Sequence, residues 1–334
     1  MTIRERQERE EEARLSPYAA LSSRSAGRAH PISVCDLRTC YQRDRDRIIH
    51  CKSFRRLKYK TQVFLTPMGD HYRTRLTHTL EVSQVARTLA RSLRLNEDLT
   101  EAAALGHDLG HTPFGHIGES TLNRLLPGGF RHNEQSLRVA ERLENDGAGL
   151  NLCRETLDGI LNHSGQNEPK TLEGWCVRRA DRIAYINHDI DDAIRGGILK
   201  PFELPRRCLS VLGETHGERI DTMIRDIVTT SADQPFVRMS AEVQQASDEL
   251  RAFLFEYVYH DEWRKKEEAR CDYILTALYE HYLAHPEQLP AEYLEINFTE
   301  GAERAVCDFI ACMTDRYAID QFSEIFVPGA FGRR

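Results

Sequence analysis

Leu105-Gly-His-Asp-Leu-Gly-His-Thr-Pro-Phe-Gly-His116 is the stretch around which the chain is organised. His107 and Asp108 stand side by side, His111 and His116 follow, and Glu119 lies one turn beyond His116. The run before them is made of small residues, Ala102, Ala103, Ala104 and Gly106. A helix built of such residues approaches its neighbours closely and delivers an imidazole and a carboxylate into the interior with little bulk around them. Adjacent residues on a helix point about 100° apart. Both reach one ion only if it sits in the angle between them, so further ligands must come from elsewhere in the chain.

The 334 residues suffice for one large domain or two small ones. Hydrophobic residues make up 40% and charged ones 29%, which is ordinary for a globular protein that buries a core. A formal net charge of −7 argues against general nucleic-acid affinity but is silent on local patches. No apolar run approaches the length of a membrane span, so no membrane partner is expected. Met1 to Arg14 is a block of charge without the apolar core of a signal peptide. The nine cysteines include no CxxC pair, and Cys35/Cys40 and Cys307/Cys312 lack a matching His pair for a structural zinc. Scattered buried thiols, a reducing compartment and hence a cytoplasmic location are expected.

In order, residues 1–30 read as a charged, mobile arm whose helix at 2–14 would have no apolar stripe to dock. An amphipathic helix starts at Asp44, with Ile48, Cys51, Phe54 and Leu57 on its apolar side. Pro67-Met-Gly-Asp70 is a turn, and a helix then runs to Leu93. Asn96 before Glu97 and Asp98 is a favoured helix start. Pro127-Gly-Gly129 breaks the chain. Helices are expected at 132–145, 150–163, 171–195, 217–230, 240–259, 264–284 and 300–318, with Pro- and Gly-containing loops between. Strand-like alternation is almost absent. The fold class is all-α.

Val82, Val85 and Leu89 follow His78 at i+4, i+7 and i+11, so His78 opens the buried face of its helix. A lone histidine there is usually a satisfied core residue. His107 and Asp108 alter that balance, as does a carboxylate in an odd place, Asp181. On its helix Cys176, Arg179, Ile183, Ile186, Ile190 and Ile194 form one mainly apolar face, and Asp181, Tyr185, His188, Asp189 and Asp192 another. A solvated stripe would mix in Lys, which is missing, whereas a tyrosine is present; a face turned to a pocket fits. His78, His107, Asp108 and Asp181 together supply two imidazoles and two carboxylates. That N/O set suits Mn, Fe, Co, Ni or Zn, whereas a dedicated Mg²⁺ site would be all oxygen. An ion so held leaves room for water and a substrate oxygen, and can activate the one and offset charge on the other.

With this order and spacing of H…HD…D, the chain resembles the HD-domain metal-dependent phosphohydrolases. More narrowly it is similar to the deoxynucleoside-triphosphate triphosphohydrolases, the bacterial dGTPase-like proteins. The motifs that carry the resemblance are His107-Asp-Leu-Gly-His-Thr-Pro-Phe-Gly-His-Ile-Gly-Glu119, Ser53-Phe-Arg-Arg-Leu-Lys-Tyr-Lys-Thr-Gln-Val-Phe64 and Arg75-Leu-Thr-His78. The resemblance covers about 16 to 200 and extends weakly to Met313-Thr-Asp-Arg-Tyr317. It implies a catalytic core at 31–200 and a helical region at 201–334 that completes the pocket and the contacts of a homo-oligomer. It further implies hydrolysis of deoxynucleoside triphosphates to deoxynucleoside and tripolyphosphate, by a metal-bound water attacking the α-phosphorus. Mg²⁺ would accompany the triphosphate. The stretch from Asp108 to Asp181, shorter than in some members with strict dGTP preference, argues against exclusive selectivity for dGTP.

Arg47, Lys52, Arg55, Arg56, Lys58 and Lys60 bring six positive charges and no acid between 47 and 60. They read as a solvated helix flank, a nucleic-acid patch or a cradle for a triphosphate, which Arg suits best through bidentate contacts. By resemblance, Gln62 and Arg75 meet the nucleotide and Arg182, where some relatives have Lys, lies near its phosphates. His116 and Glu119, three apart, would hydrogen-bond on a helix. The resemblance makes them a catalytic pair that passes a proton to the departing 5′ oxygen. It places His111 and His132 along the phosphates, and Tyr185 and Asp189 at the deoxyribose, where the ring would exclude a 2′-hydroxyl. His163 and Tyr317 are further pocket candidates, though each reads as readily as core or surface. The rival readings are another HD phosphohydrolase (a nucleoside 5′-monophosphatase or a guanosine tetraphosphate hydrolase), or a non-catalytic nucleotide sensor or single-stranded DNA binder using the 47–60 face.

Overall fold

A computed structural model describes residues 1–62, 73–257 and 262–328. The expected turn at 67–70, and Val63 and Phe64 of the second motif, lie outside the described residues. Among those residues the chain is all helical, with two isolated β-bridges as its only extended pairing. The helices are α1 (Ile3–Arg14), α2 (Cys40–His50), α3 (Lys52–Arg56), α4 (Arg75–Ser92), α5 (Glu97–Gly106), α6 (His116–Leu125), α7 (His132–Arg138) and α8 (Arg154–Leu161). They continue as α9 (Leu172–Arg195), α10 (Arg206–Leu212), α11 (His216–Ser231), α12 (Ala241–Tyr257), α13 (Glu262–Ala284), α14 (Ala291–Glu300), α15 (Ala302–Cys312) and α16 (Asp315–Phe326). None is long and apolar enough to cross a membrane.

The centre is α4 against α5 and α9. Val82, Ala86 and Leu89 of α4 share a core with Ile183, Ile186 and Ile190 of α9. Each fully buried aliphatic side chain there stabilises the fold by about 1.5–3 kcal/mol relative to exposure. Ala103 and Ala104 let α5 slot between them. Gly106 belongs to the same economy of space, since a Cβ on it would lie 2.5 Å from Ile160 Cδ1 of α8. A second core under α6 is built by α13, α15 and α16.

Three expectations are corrected. The run from Asp44 is not one helix: Cys51, at φ −74° and ψ 157°, ends α2 and caps α3 in a single extended residue. The expected helix at 300–318 is three pieces, because Gly301 at φ 96° ends α14 and the chain breaks again before α16. The charged N-terminus has no apolar stripe, yet α1 is docked through polar groups. Glu11 accepts from the Ser22 backbone at 2.7 Å and its hydroxyl at 2.8 Å, and the Ser16 amide donates to Arg94 O at 2.7 Å. Buried Glu173 of α9 then accepts from the Ala20 and Asn96 amides, each at 2.9 Å.

Lys60 is a buried tie between the two cores, its ammonium donating to His111 O and, at 2.8 Å, to Ala311 O at the end of α15. Burial pushes its pKa down from the ordinary 10.5 to about 7. Between those values the unfolded chain binds the proton that the folded one has released, so this group's contribution to stability rises with pH across the window and is flat below it. Wild type should therefore gain on Lys60→Met by roughly 1–3 kcal/mol between about pH 6.5 and pH 9.5. Urea unfolding of both proteins along that range measures it; a constant difference would refute the buried, neutralised lysine.

Candidate active site

The site begins with how α4 starts. Thr74 accepts from the Thr77 amide, which sets the first turn at Arg75 and places Arg75 and His78 on one face, 2% and 1% exposed. His107 takes the capping position after α5, where its Nδ1–H donates to Ala104 O at 2.7 Å. That bond leaves Nε2 bare and pointing inward, with no hydrogen-bond partner. Asp108 puts Oδ1 3.3 Å from His107 Nε2 and 3.1 Å from His111 Nε2, while Arg75 Nη1 holds Oδ2 at 3.0 Å. From α9, Asp181 Oδ1 lies 3.1 Å from His78 Nε2 and 3.8 Å from His107 Nε2. Two imidazoles and two carboxylates from three stretches thus converge.

Gly110 makes that convergence sterically feasible. A Cβ there would sit 2.1 Å from Ser136 N and 2.3 Å from Gln135 C, which are backbone atoms that cannot swing aside. The same approach lets Ser136 Oγ accept from the Gly110 amide at 2.9 Å and donate to His107 O at 2.7 Å, fixing the His-Asp turn against α7. Further on, Phe114 has φ +61°, a conformation held by Asp315 of α16, whose Oδ1 accepts from the Phe114 amide at 3.0 Å. The other oxygen of Asp315 takes the Thr61 amide at 2.9 Å, which gives Met313-Thr-Asp-Arg-Tyr317 its structural role. Tyr317 itself is 43% exposed and lies outside the pocket.

Electrostatics follow from the packing. Burial opposes charge on Asp108, but His107, His111 and Arg75 outweigh it and hold its carboxyl well below the usual range. Asp181 is likewise lowered against burial, by His78 and His107. Burial also disfavours a charged His78, yet Asp181 raises its pKa. His111, buried beside Arg75, is pushed well down. The donor set suits a divalent ion. His107 Nε2 is a buried lone pair with nothing to accept it, and donor atoms of His78, His107 and Asp108 all lie within 4.8 Å of one another.

A cavity of about 410 Å³ opens over these groups, lined by Gln62, Arg75, His78, Asp108, His111, His116, His132, Ser164, Asp181, Tyr185, Asp189, Arg251 and Phe255. The polar face of α9 is divided. Asp181, Tyr185 and Asp189 face the cavity, while Asp192 pairs with Arg73 at 2.9 Å and His188 lies 3.2 Å from Glu81. Burial pushes the Tyr185 hydroxyl up to about 12, so it stays protonated.

Other expectations need correction. Arg182 turns to Asp248 of α12 and does not line the cavity; Arg251, one turn beyond Asp248, does. The basic residues at 47–60 do not form one face, since the break at Cys51 splays them apart. Arg47 donates to Leu150 O at 2.6 Å, Lys52 lies 3.6 Å from Asp146, and Arg56 is 3.8 Å from Glu144. Arg55 donates to His50 O at 2.7 Å and Lys58 sits over the Tyr59 ring at 5.2 Å, both away from the cavity. His116 and Glu119 are 3.9 Å apart, too far for a hydrogen bond. Glu119 instead holds His132: both its oxygens lie 3.0 Å from Nδ1, and Oε1 takes the backbone amide at 2.9 Å. That carboxylate raises the His132 pKa against the effect of burial. His132 stacks on His111 with ring centres 4.1 Å apart. Arg251, Phe255 and Ser164 carried no sequence signal, because only the seating of α12 and the loop after α8 brings them in.

Residues 75–186 match the family model of the HD domain, and residues 237–324 that of a phosphohydrolase-associated domain. A deoxyguanosinetriphosphate triphosphohydrolase-like protein of Caldanaerobacter subterraneus is 58% identical, covering 98% of this chain and 97% of that protein. Proteins of the same description from Clostridium perfringens and Desulfatibacillum aliphaticivorans are 51% and 48% identical, each covering 98% of this chain and 98% and 99% of their own. The stretch matched by the HD model carries all four converging side chains, and the relatives match from end to end; the chain belongs to the HD-domain phosphohydrolases, in the deoxyguanosinetriphosphate triphosphohydrolase-like family.

Proposed function

We propose that the protein hydrolyses deoxynucleoside triphosphates to the deoxynucleoside and inorganic tripolyphosphate. The observation that carries this reading is the line of Asp181, Tyr185 and Asp189 along one cavity wall. At 1.5 Å per residue these positions lie about 6 and 12 Å apart along α9, a span that fits an α-phosphate at one end and a sugar at the other. His78, His107, Asp108 and Asp181 would hold a divalent ion, which would supply Lewis acidity and lower the pKa of a water nucleophile. The chain's own groups do the rest. Arg75, His111 and His132 face the phosphate oxygens, and the His116 imidazole at the mouth donates a proton to the departing 5′ oxygen. The Tyr185 ring packs under the deoxyribose, and the Asp189 carboxylate accepts from its 3′-hydroxyl.

A dNTP panel with Mn²⁺, Co²⁺, Zn²⁺ and Mg²⁺, with products resolved by ion-exchange chromatography, tests it. Tripolyphosphate and deoxynucleoside in equal amounts are expected from more than one dNTP. Orthophosphate released from a nucleoside monophosphate, with dNTPs untouched, would replace this reading with a monophosphatase.

A further inference from the structure

A separate cavity of about 260 Å³ is lined by three of the nine cysteines, Cys35, Cys40 and Cys153, and shares no lining residue with the cavity over Asp181. Cys40 is the first residue of α2, and Cys153 is the capping residue before α8. One ion pair grips both ends. Arg28 pairs with Asp44, its Nη2 donates to Cys40 O at 2.8 Å, and Asp44 Oδ2 accepts from the Cys153 amide at 2.8 Å. The Arg28 backbone also bridges to that of Cys153.

The two thiols meet inside this frame. Cys40 and Cys153 pack in one small core with Tyr41 and Leu99, and the Cys153 thiol donates to the Cys40 sulfur. That bond draws the Cys40 pKa below the usual thiol value, against burial and the Asp44 carboxylate, and together with burial it raises that of Cys153. Cys40 is half-buried, whereas Cys153 is 1% exposed. A small oxidant entering the cavity therefore reaches Cys40 first and finds there the thiol that ionises more readily. Cys35 lines the same cavity, but its sulfur is tied into its own turn, accepting from the Arg38 amide at 3.4 Å.

We propose that Cys40 and Cys153 form a reversible oxidation site for small peroxides, with Cys40 as the attacking thiol and Cys153 as the resolving one. The Cys40 thiolate forms an S–O bond with one peroxide oxygen as the O–O bond breaks. The departing oxygen takes up the proton that Cys40 released and leaves as water or an alcohol. The Cys153 sulfur then attacks the sulfenic acid, the S–O bond breaks, and hydroxide leaves with the Cys153 proton as water. Two thiols lose two electrons and the peroxide gains them. The disulfide joins α2 to α8 and closes a loop that contains Arg75, His78, His107, Asp108 and His132, so it constrains the unfolded chain across the candidate active site.

Reduced full-length protein treated with hydrogen peroxide, alkylated and digested with trypsin under non-reducing conditions tests it; cleavage after Arg38 separates Cys35 from Cys40. Mass spectrometry should show a Cys40–Cys153 linked peptide that is absent before treatment and is removed by dithiothreitol. The melting temperature should rise by about 5 °C with the link. Cys35→Ser should leave the linkage unchanged. Cys153→Ser should stop at a Cys40 sulfenic acid trapped by dimedone, whereas Cys40→Ser should leave Cys153 unmodified. A link from Cys35 to either thiol, or wild type in which Cys40 and Cys153 stay unlinked, overturns the proposal. The wild-type linkage decides by itself, whether or not the variants fold.

Discussion

Asp181→Asn is expected to lower kcat/KM for dNTP by about 10³-fold or more, the loss of several kcal/mol of ion-borne stabilisation. The substitution keeps the shape of the side chain and removes its charge. Asp181 is the sole carboxylate brought by α9 to His78 and His107, at 3.1 and 3.8 Å. Neither can be replaced from nearby, because the next acid on that face, Asp189, lies two turns away. The α4–α9 packing rests on Val82, Leu89, Ile183, Ile186 and Ile190, so the helix content and cooperative melt should be retained. Metal content after dialysis should fall in parallel with activity. A variant that keeps both activity and metal within threefold of wild type would remove Asp181 from the site and with it the proposed reaction.

The parts of this site that were readable in sequence are those where a polar residue interrupts an apolar period. His78 opens the buried stripe of α4, and Asp181 begins a face of α9 without lysines. The small residues before His107 likewise announce the close packing that seats it. Direction, by contrast, was not readable. The basic residues from Arg47 to Lys60 look like a cradle only if the helix is continuous, and one extended residue at Cys51 sends Arg55 and Lys58 elsewhere. Arg182 is adjacent in sequence to Asp181, but α12 offers it Asp248 and presents Arg251 to the cavity in its place. His163, a pocket candidate in sequence, is buried but turns its Nδ1–H to Ile160 O and is not among the cavity-lining residues. The fold class depends on local periodicity and survives these failures; the contacts depend on how distant helices are seated.

The altered partnership of Glu119 separates two substitutions that spacing alone would have made equivalent. If His116 and Glu119 formed one dyad, replacing either would lower kcat alike. The structure instead leaves His116 at the mouth of the cavity, its side chain 65% exposed and 3.9 Å from Glu119, and commits Glu119 to His132. His116→Ala is therefore expected to cut kcat by about 10²–10³-fold with KM within about threefold, as for loss of a proton donor to the leaving group. Glu119→Gln keeps an oxygen for the His132 amide but removes the charge that fixes the ring, so its main expected effect is weaker phosphate binding. KM should rise by about tenfold and kcat should fall less than in His116→Ala, since a charge-assisted hydrogen bond contributes roughly 1.5–3 kcal/mol. Steady-state kinetics on one dNTP measures both. Equal losses of kcat with unchanged KM would restore the dyad and return His132 to a bystander, whereas the split expected here makes Glu119 a positioning residue that acts through His132.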